Sequence, residues 1–396
     1  MRKTSGLRVS IPEVALAVGA FGALAVALWL YVLFGFDTLR GISSDWMYVH
    51  ADFDSFWRSA EALWEGRNIY NTETWWTNLN PPFWTVLISP LGLLEPLTAY
   101  RFFVLITLLM SVGSLLWVAY ELRLRTRWII VGVGMLLLSS PLLDTLRLGQ
   151  LYPVLVLGLV AAWVADRRNK PLLSGCALGL TMAVKPSLAP ILLWPLVRRQ
   201  WGMLGAALAS GGAATLVGLI VAGPEATLDW LKILNSVSTD GYWENASLPA
   251  AAIRLFTENG YVEPIATLPW VVPAVNILGG GIVILTAVRA RRDPEMGFWA
   301  LVAALLLASP MVWYRYLVLL GPGILLLLAR GRGALALLLL ALQFIPRDWS
   351  VPWEYGDAPA AALALTLYLY ILVAHWLAFF LTTREEPAHA PEPHYP

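Results

Sequence analysis

The sequence predicts an all-α polytopic integral membrane protein, a bundle of about 10–12 transmembrane segments, and three observations carry that reading. First, 58% of the 396 residues are hydrophobic and only 13% are charged, whereas a soluble domain runs near a quarter charged. Second, the apolar residues gather into runs long enough to enter a bilayer. Third, basic residues recur as short clusters between those runs. The 20 tryptophans fit the same picture, because indole rings collect where membrane meets water.

The first apolar run, 14–34, is about 21 residues and long enough to span. Arg2, Lys3 and Arg8 precede it, which favours a cytoplasmic N-terminus. Further runs follow at 82–95, 98–120, 128–143, 150–165, 171–197, 202–222, 266–288, 296–308, 312–329, 333–345 and 361–381. Between them lie Arg123/Arg125/Arg127, Arg167/Arg168/Lys170, Arg198/Arg199, Arg289/Arg291/Arg292 and Arg330/Arg332, with Arg384 beyond the last. Assigning these clusters and the N-terminal one to a single face gives it 17 basic and 8 acidic residues, and leaves 10 basic and 18 acidic for the other. The positive-inside rule makes the first face cytoplasmic. Both termini are then expected in the cytoplasm of a multi-pass plasma-membrane protein.

Two stretches break the zigzag. The run 82–95 is short, opens on Pro81-Pro82, and makes one net crossing together with 98–120. The run 171–197 starts and ends beside basic clusters with Lys185-Pro186 at its middle, which predicts two half-length helices that dip in and return. Broken helices at membrane depth belong where they line a cavity inside the protein. Residues 1–386 are expected to form one polytopic domain, with outer loops at 36–80, 223–265 and 346–360. The Pro-rich stretch 387–396 is expected to be a disordered cytoplasmic tail.

Composition excludes several chemistries. The one cysteine, Cys176, permits neither a disulfide framework nor a cysteine metal site. His50, His375, His389 and His394 lack metal-ligand spacing. No Walker-type phosphate loop is present, and Gly279-Gly280-Gly281 sits in an apolar run, where close helix packing accounts for it. In the first outer loop, Phe56, Ala60, Leu63 and Trp64 share a face at helical spacing, opposite Arg58, Glu61 and Glu65. This predicts a surface-lying helix over 55–65 closed by Gly66, with Asp52 and Asp54 just ahead of it at the mouth of the bundle. Asp54 is equally well placed to cap that helix.

The run Asp52-x-x-x-Phe56-x-x-x-Ala60-x-Ala62-Leu63-x-x-Gly66-x-x-x-Tyr70 is followed by Asn80-Pro81-Pro82-Phe83 and Pro90-Leu91. Later come Leu148-Gly149-Gln150, Gly175-x-x-x-Gly179-Leu180 before Lys185-Pro186, Asn245-x-Ser247-Leu248 with Arg254, and Ser309-Pro310-x-x-Trp313 with Tyr316. In order and spacing these motifs, over roughly 45–330, resemble the GT87-type polyprenol-phosphate-mannose-dependent mannosyltransferases, which are membrane glycosyltransferases of the GT-C class. Two positions depart from the family pattern: Phe56 stands where tyrosine is usual, and Tyr314-Arg315 stand where a histidine is frequent.

The resemblance implies a GT-C-like bundle and an inverting transfer of a hexose, with mannose expected, from a polyprenyl-phosphate donor. The acceptor would be a glycolipid or other glycan on the non-cytoplasmic face. It places the catalytic aspartate on Asp52, with Asp54 two residues on. A carboxylate base suits an attacking hydroxyl, and it also stabilises an oxocarbenium-like transition state. The departing lipid phosphate needs cationic or hydrogen-bonding partners. Lys185, Arg147, Gln150 and Arg254 are the candidates, with Arg315 beside them. A charge at membrane depth costs roughly 2.5–3.5 kcal/mol and is seldom there without a role. An ion pair between Lys185 and Asp144 is the plain structural alternative.

Asn245, Ser247 and Tyr70 are candidate sugar or acceptor contacts, with Glu244 near them. Catalysis is expected without metal or cofactor, since a single phosphate can be neutralised by basic side chains. The expected partners are the lipid-linked donor, the acceptor and membrane lipid, and not nucleic acid. The competing readings are an arabinofuranosyl or other sugar transferase of the same class, a multi-pass transporter, and a non-catalytic membrane scaffold. A transporter predicts a two-fold repeat that the sequence does not display.

Overall fold

A computed structural model of the chain describes residues 11–236, 238–354 and 359–383. Arg2, Lys3, Arg8, Arg384 and the tail expected at 387–396 lie outside the described residues. The regular secondary structure among them is helical, and their one β-type pairing is an isolated bridge between Asn245 and Trp313. Five helices are long and apolar enough to cross a membrane: Ala15–Phe34, Pro96–Glu121, Trp201–Ser236, Val271–Arg289 and Pro359–Thr382. Two bent pairs, Thr126–Leu137 with Ser140–Leu148 (45°) and Gly333–Leu342 with Arg347–Trp353 (62°), meet the same test as units. Shorter apolar helices, among them Pro171–Val184 and Pro294–Ala308, complete the bundle. The last of these is buried along almost its whole length, as the central post of a helix bundle must be.

The two irregular stretches take the shapes their prolines dictate. Residues 82–93 form a short helix, Pro82–Ile88, running into a 3₁₀ turn, Ser89–Leu93, before the full-length Pro96–Glu121. The helix Pro171–Val184 stops at Lys185, whose backbone is extended (φ −139°, ψ 87°), and a 3₁₀ segment restarts at Pro186. The residue before a proline is pushed out of helical conformation, so the break falls where the sequence puts it.

Three expectations need correction. The first-loop helix is Ala51–Trp64 rather than 55–65, preceded by a 3₁₀ turn at Met47–His50. Asp52 and Asp54 therefore lie within its first turn, and Asp54 is not a cap. The apolar face of this helix is turned into the protein: Phe53, Phe56, Trp57 and Ala60 are buried in the main core. The segment 223–265 is not one loop either. The helix from Trp201 bends at Gly223 (φ +86°) and continues to Ser236, and Leu248–Phe256 is helical.

The two ends of the bundle differ in charge. At one end the basic clusters meet acids: Arg168 and Arg167 with Glu121, Arg167 and Arg330 with Glu295, Arg330 with Asp293, and Arg198 with Asp166. The helix Tyr152–Arg167 runs from there to the opposite end. Its 16 residues span about 24 Å at 1.5 Å per residue.

Candidate active site

Gly149 brings the wall of the site to Asp52. It closes the helix Ser140–Leu148 in the left-handed conformation (φ +69°), and a Cβ there would stand 2.4 Å from Cβ of Phe53. Only glycine satisfies both conditions. The next residue, Gln150, brings its side-chain amide near the Asp52 carboxylate and favours the charged form. Tyr152 then opens the following helix.

Asp52 is half-buried: protein atoms crowd it closely, yet it keeps some contact with solvent. Burial pushes its carboxyl above the ordinary aspartate range. Arg315 is the strongest opposing influence, followed by the Gln150 amide and, more weakly, Arg147, while Asp144 adds to the rise.

The charges around Asp52 form one cluster. Nη2 of Arg147 is 2.6 Å from Oδ1 of Asp144. Arg315 donates through Nη1 to Asp144 (2.9 Å) and to Glu244 (2.5 Å). Nε of Arg347 is 3.5 Å from Glu244. Asp144, Glu244 and Arg315 are all buried. The cluster joins the helix Ser140–Leu148, the turn before Leu248–Phe256, the 3₁₀ segment Tyr314–Leu320 and the segment Arg347–Trp353.

Lys185 sits in a second polar group. Its Nζ donates to Oδ1 of Asn80 (3.3 Å) and lies 6.0 Å from the ring centre of Tyr316. Asn80 is fixed from behind: its amide groups donate to Oδ1 of Asn78, and its carbonyl accepts from the Tyr70 hydroxyl (2.6 Å). Asn78 in turn donates to Ser59 on the Asp52 helix. Among the described residues no carboxylate pairs with Lys185, and Asp144 is taken by the two arginines. Tyr316 packs on Tyr152 with ring centres 4.3 Å apart. Two tyrosines thus stand between Lys185 and the Asp52–Gln150 pair. Pro81 and Pro186, the chain neighbours of Asn80 and Lys185, line an apolar groove of about 330 Å³ together with Phe83, Leu192, Leu208 and Trp230 among others.

The remaining sequence candidates go elsewhere. Arg254 is buried, and its guanidinium donates to the carbonyls of Gly241, Tyr242 and Asn245 and to the Thr366 hydroxyl. Asn245 donates to the carbonyls of Asp240 and Pro310 and accepts from the amides of Ser247 and Val312. Ser247 caps the helix Leu248–Phe256 by accepting from the amide of Ala250. Asn245 and Ser247 join the 240s to Pro310 and Val312, and Arg254 joins the 240s to Thr366, so all three are spent on the scaffold. Tyr70 acts through Asn80. The ring nitrogens of His50 face the carbonyls of Arg147 (2.6 Å) and Ser44 (3.0 Å), which makes it scaffold. Asp54 faces Arg58 of its own helix (3.9 Å). Residues two apart on a helix do not share a face, so Asp52 and Asp54 turn to different surroundings.

Sequence reasoning did not single out Tyr152 or Arg347, and it treated Asn80 only as part of a motif. Asn80 before two prolines was the available signal. Nothing local marks the other two, whose partners are far away in the chain.

Residues 76–310 match Glycosyltransferase family 87, and the chain belongs to that family. It is 26% identical over 325 residues to a polyprenol-phosphate-mannose-dependent alpha-(1-2)-phosphatidylinositol mannoside mannosyltransferase of Mycobacterium tuberculosis, across 74% of this chain and 73% of that one. It is 30% identical over 163 residues to an alpha-(1->3)-arabinofuranosyltransferase of Mycolicibacterium smegmatis, across 39% of this chain and only 38% of that relative. Among solved structures, apo ArnT from Cupriavidus metallidurans aligns over 90% of this chain and 76% of its own at 17% identity, with a TM-score of 0.37.

Proposed function

We propose that this family 87 glycosyltransferase moves mannose from a polyprenyl-phosphate donor to a glycolipid or glycan hydroxyl on the non-cytoplasmic side, with inversion. The observation that carries the reading is the position of Lys185. Among the described residues it is a cation without a carboxylate partner, bonded to Asn80 and close to Tyr316, and the prolines that follow both bonded residues in the chain, Pro81 and Pro186, line an apolar groove. An amphiphile with a long apolar chain and an anionic head suits that arrangement, and the sugar on the head would then extend past Tyr316 and Tyr152 toward Asp52.

In the proposed step the acceptor oxygen attacks the anomeric carbon and its proton passes to an Asp52 carboxylate oxygen. The bond from that carbon to the phosphate oxygen breaks, and polyprenyl phosphate leaves as an anion held by Lys185, whose ammonium Asn80 positions. Gln150 keeps the carboxylate aimed, and the carboxylate also favours the positive charge that develops on the sugar. Metal is not required in this scheme. Asp52 and Asp54 face different partners, which argues against a shared aspartate chelate, and a lysine serves the single phosphate.

The test is transfer of radiolabelled sugar by the purified chain in lipid, from polyprenyl-phosphate-mannose and, in parallel, from a polyprenyl-phosphate arabinofuranose donor. Label from the mannose donor, persisting in EDTA, is the expected result. Label from the arabinose donor alone would reassign the sugar. Activity lost in EDTA and restored by manganese would overturn the metal-free step, and no label from either donor would remove the reading.

A further inference from the structure

Asp52 is surrounded by charge from every packed element, yet among the described residues no cation lies within ion-pairing distance of it. Its own helix supplies Asp54 and Arg58, which pair with each other. The preceding turn supplies His50, bonded to carbonyls and stacked on Tyr100. The helix Ser140–Leu148 supplies Asp144 and Arg147, the next helix Tyr152, and the 3₁₀ segment Tyr314–Leu320 supplies Arg315 and Tyr316. Beyond them stand Glu244 and Arg347. Asp52, Asp144 and Glu244 thus face Arg147, Arg315 and Arg347. That set is electrically balanced when Asp52 is ionised and carries an extra positive charge when it is not.

Arg315 is the hinge of this set. It alone touches both buried acids, through one nitrogen, Nη1, while its buried Nε has no partner. Resting on the proposal that Asp52 is the base, we infer that Arg315 is the positioning residue of Asp52. It is a cation anchored by Asp144 and Glu244 close enough to hold the carboxylate charged, yet kept from taking its oxygens. The anchoring matters chemically. A guanidinium free to swing would form a two-pronged pair with Asp52 and occupy the lone pairs that must receive the acceptor proton. Fixed by two acids, it supplies the field without the contact.

The experiment is the pH profile of kcat/KM for sugar transfer by the full-length chain in lipid. It compares wild type with Arg315→Gln, Arg315→Lys and Asp144→Asn. Removing the cation should move the acid limb up by about one pH unit or more, and Arg315→Lys should restore it. Asp144→Asn removes an anion that disfavours ionised Asp52, so its limb should move down. Opposite shifts support the inference. Reduced rates with an unmoved limb in both Arg315→Gln and Asp144→Asn overturn it and leave Arg315 as scaffold. Should Arg315→Gln fail to fold, an unmoved limb in Asp144→Asn is by itself contrary. A wild type that transfers no sugar defeats the functional proposal instead, so the two failures are distinguishable.

Discussion

At the scale of single residues, the site depends on Gly149 as much as on any charged group. Its left-handed backbone and its 2.4 Å approach to Phe53 mean that Gly149→Ala adds strain of about 1–2 kcal/mol and an overpacking cost of about 1–3 kcal/mol. The expected outcome is a lower melting temperature in detergent together with slowed transfer, because Gln150 is displaced from Asp52. Equal melting temperatures and rates for variant and wild type would contradict this. Lys185→Met should weaken donor binding by about 1.5–3 kcal/mol, the worth of a charge-assisted hydrogen bond, measured as a rise in the Kd for polyprenyl phosphate. Asp52 must be ionised to accept a proton, and burial raises its carboxyl. Activity should therefore fall as pH drops toward a midpoint above the ordinary aspartate value of about 3.9.

Asp52, Lys185 and Gln150 were legible in the sequence because each sits in a short local pattern. The Arg315 contacts were not, since Asp144 is 171 residues away and Glu244 is 71. Arg254 was legible as an ionisable residue near membrane depth but not as a staple, because its partners are mostly backbone carbonyls, which no side-chain pattern records.

At the scale of elements, prolines and glycines made the breaks readable, while packing set the lengths. Lys185-Pro186 marks the interruption of its helix, and Gly66 (φ +66°) ends the first-loop helix as expected. That helix starts four residues early, at Ala51, because Phe53 and Trp57 add to its apolar face and bury it against the bundle. A periodicity that begins at Phe56 sees only part of that face. The helical continuation past Gly223-Pro224 was hidden by the same two residues that usually end a helix. Its function is visible in space: Trp230 donates to the carbonyl of Leu79 (3.2 Å) and lines the groove beside Lys185. The scaffold around the 240s gives a prediction of its own. Arg254→Ala leaves several buried carbonyls unpaired and should cost about 2 kcal/mol or more, seen as a drop in thermal stability. The Kd of the folded protein for polyprenyl phosphate should stay unchanged. A selective loss of donor affinity would instead return Arg254 to the phosphate site.

At the scale of the whole molecule, charge sorting was the most informative feature of the sequence. Members of three of the clusters it grouped, Arg167 with Arg168, Arg198 and Arg330, form ion pairs with Glu121, Asp166, Asp293 and Glu295 near one end of the helix Tyr152–Arg167, whose other end opens on Tyr152. The positive-inside rule predicts a site that faces outward, and thiol labelling tests it. In a Cys176→Ser background, a cysteine at Trp76 should react with an impermeant thiol reagent in intact cells, and one at Arg125 only after the cells are opened. The reverse pattern would invert the topology. What the sequence could not give was the charge cluster around Asp52, which is assembled from five segments spread between residues 52 and 347.

The central claim is that Asp52 removes the acceptor proton. Its most direct test compares purified wild type with Asp52→Asn for binding of polyprenyl-phosphate-mannose and for transfer of its labelled sugar. The account predicts unchanged donor binding with transfer lowered by about 10²–10⁴-fold, the usual worth of a positioned base. Near-normal transfer by Asp52→Asn would contradict it and move the base elsewhere in the cleft.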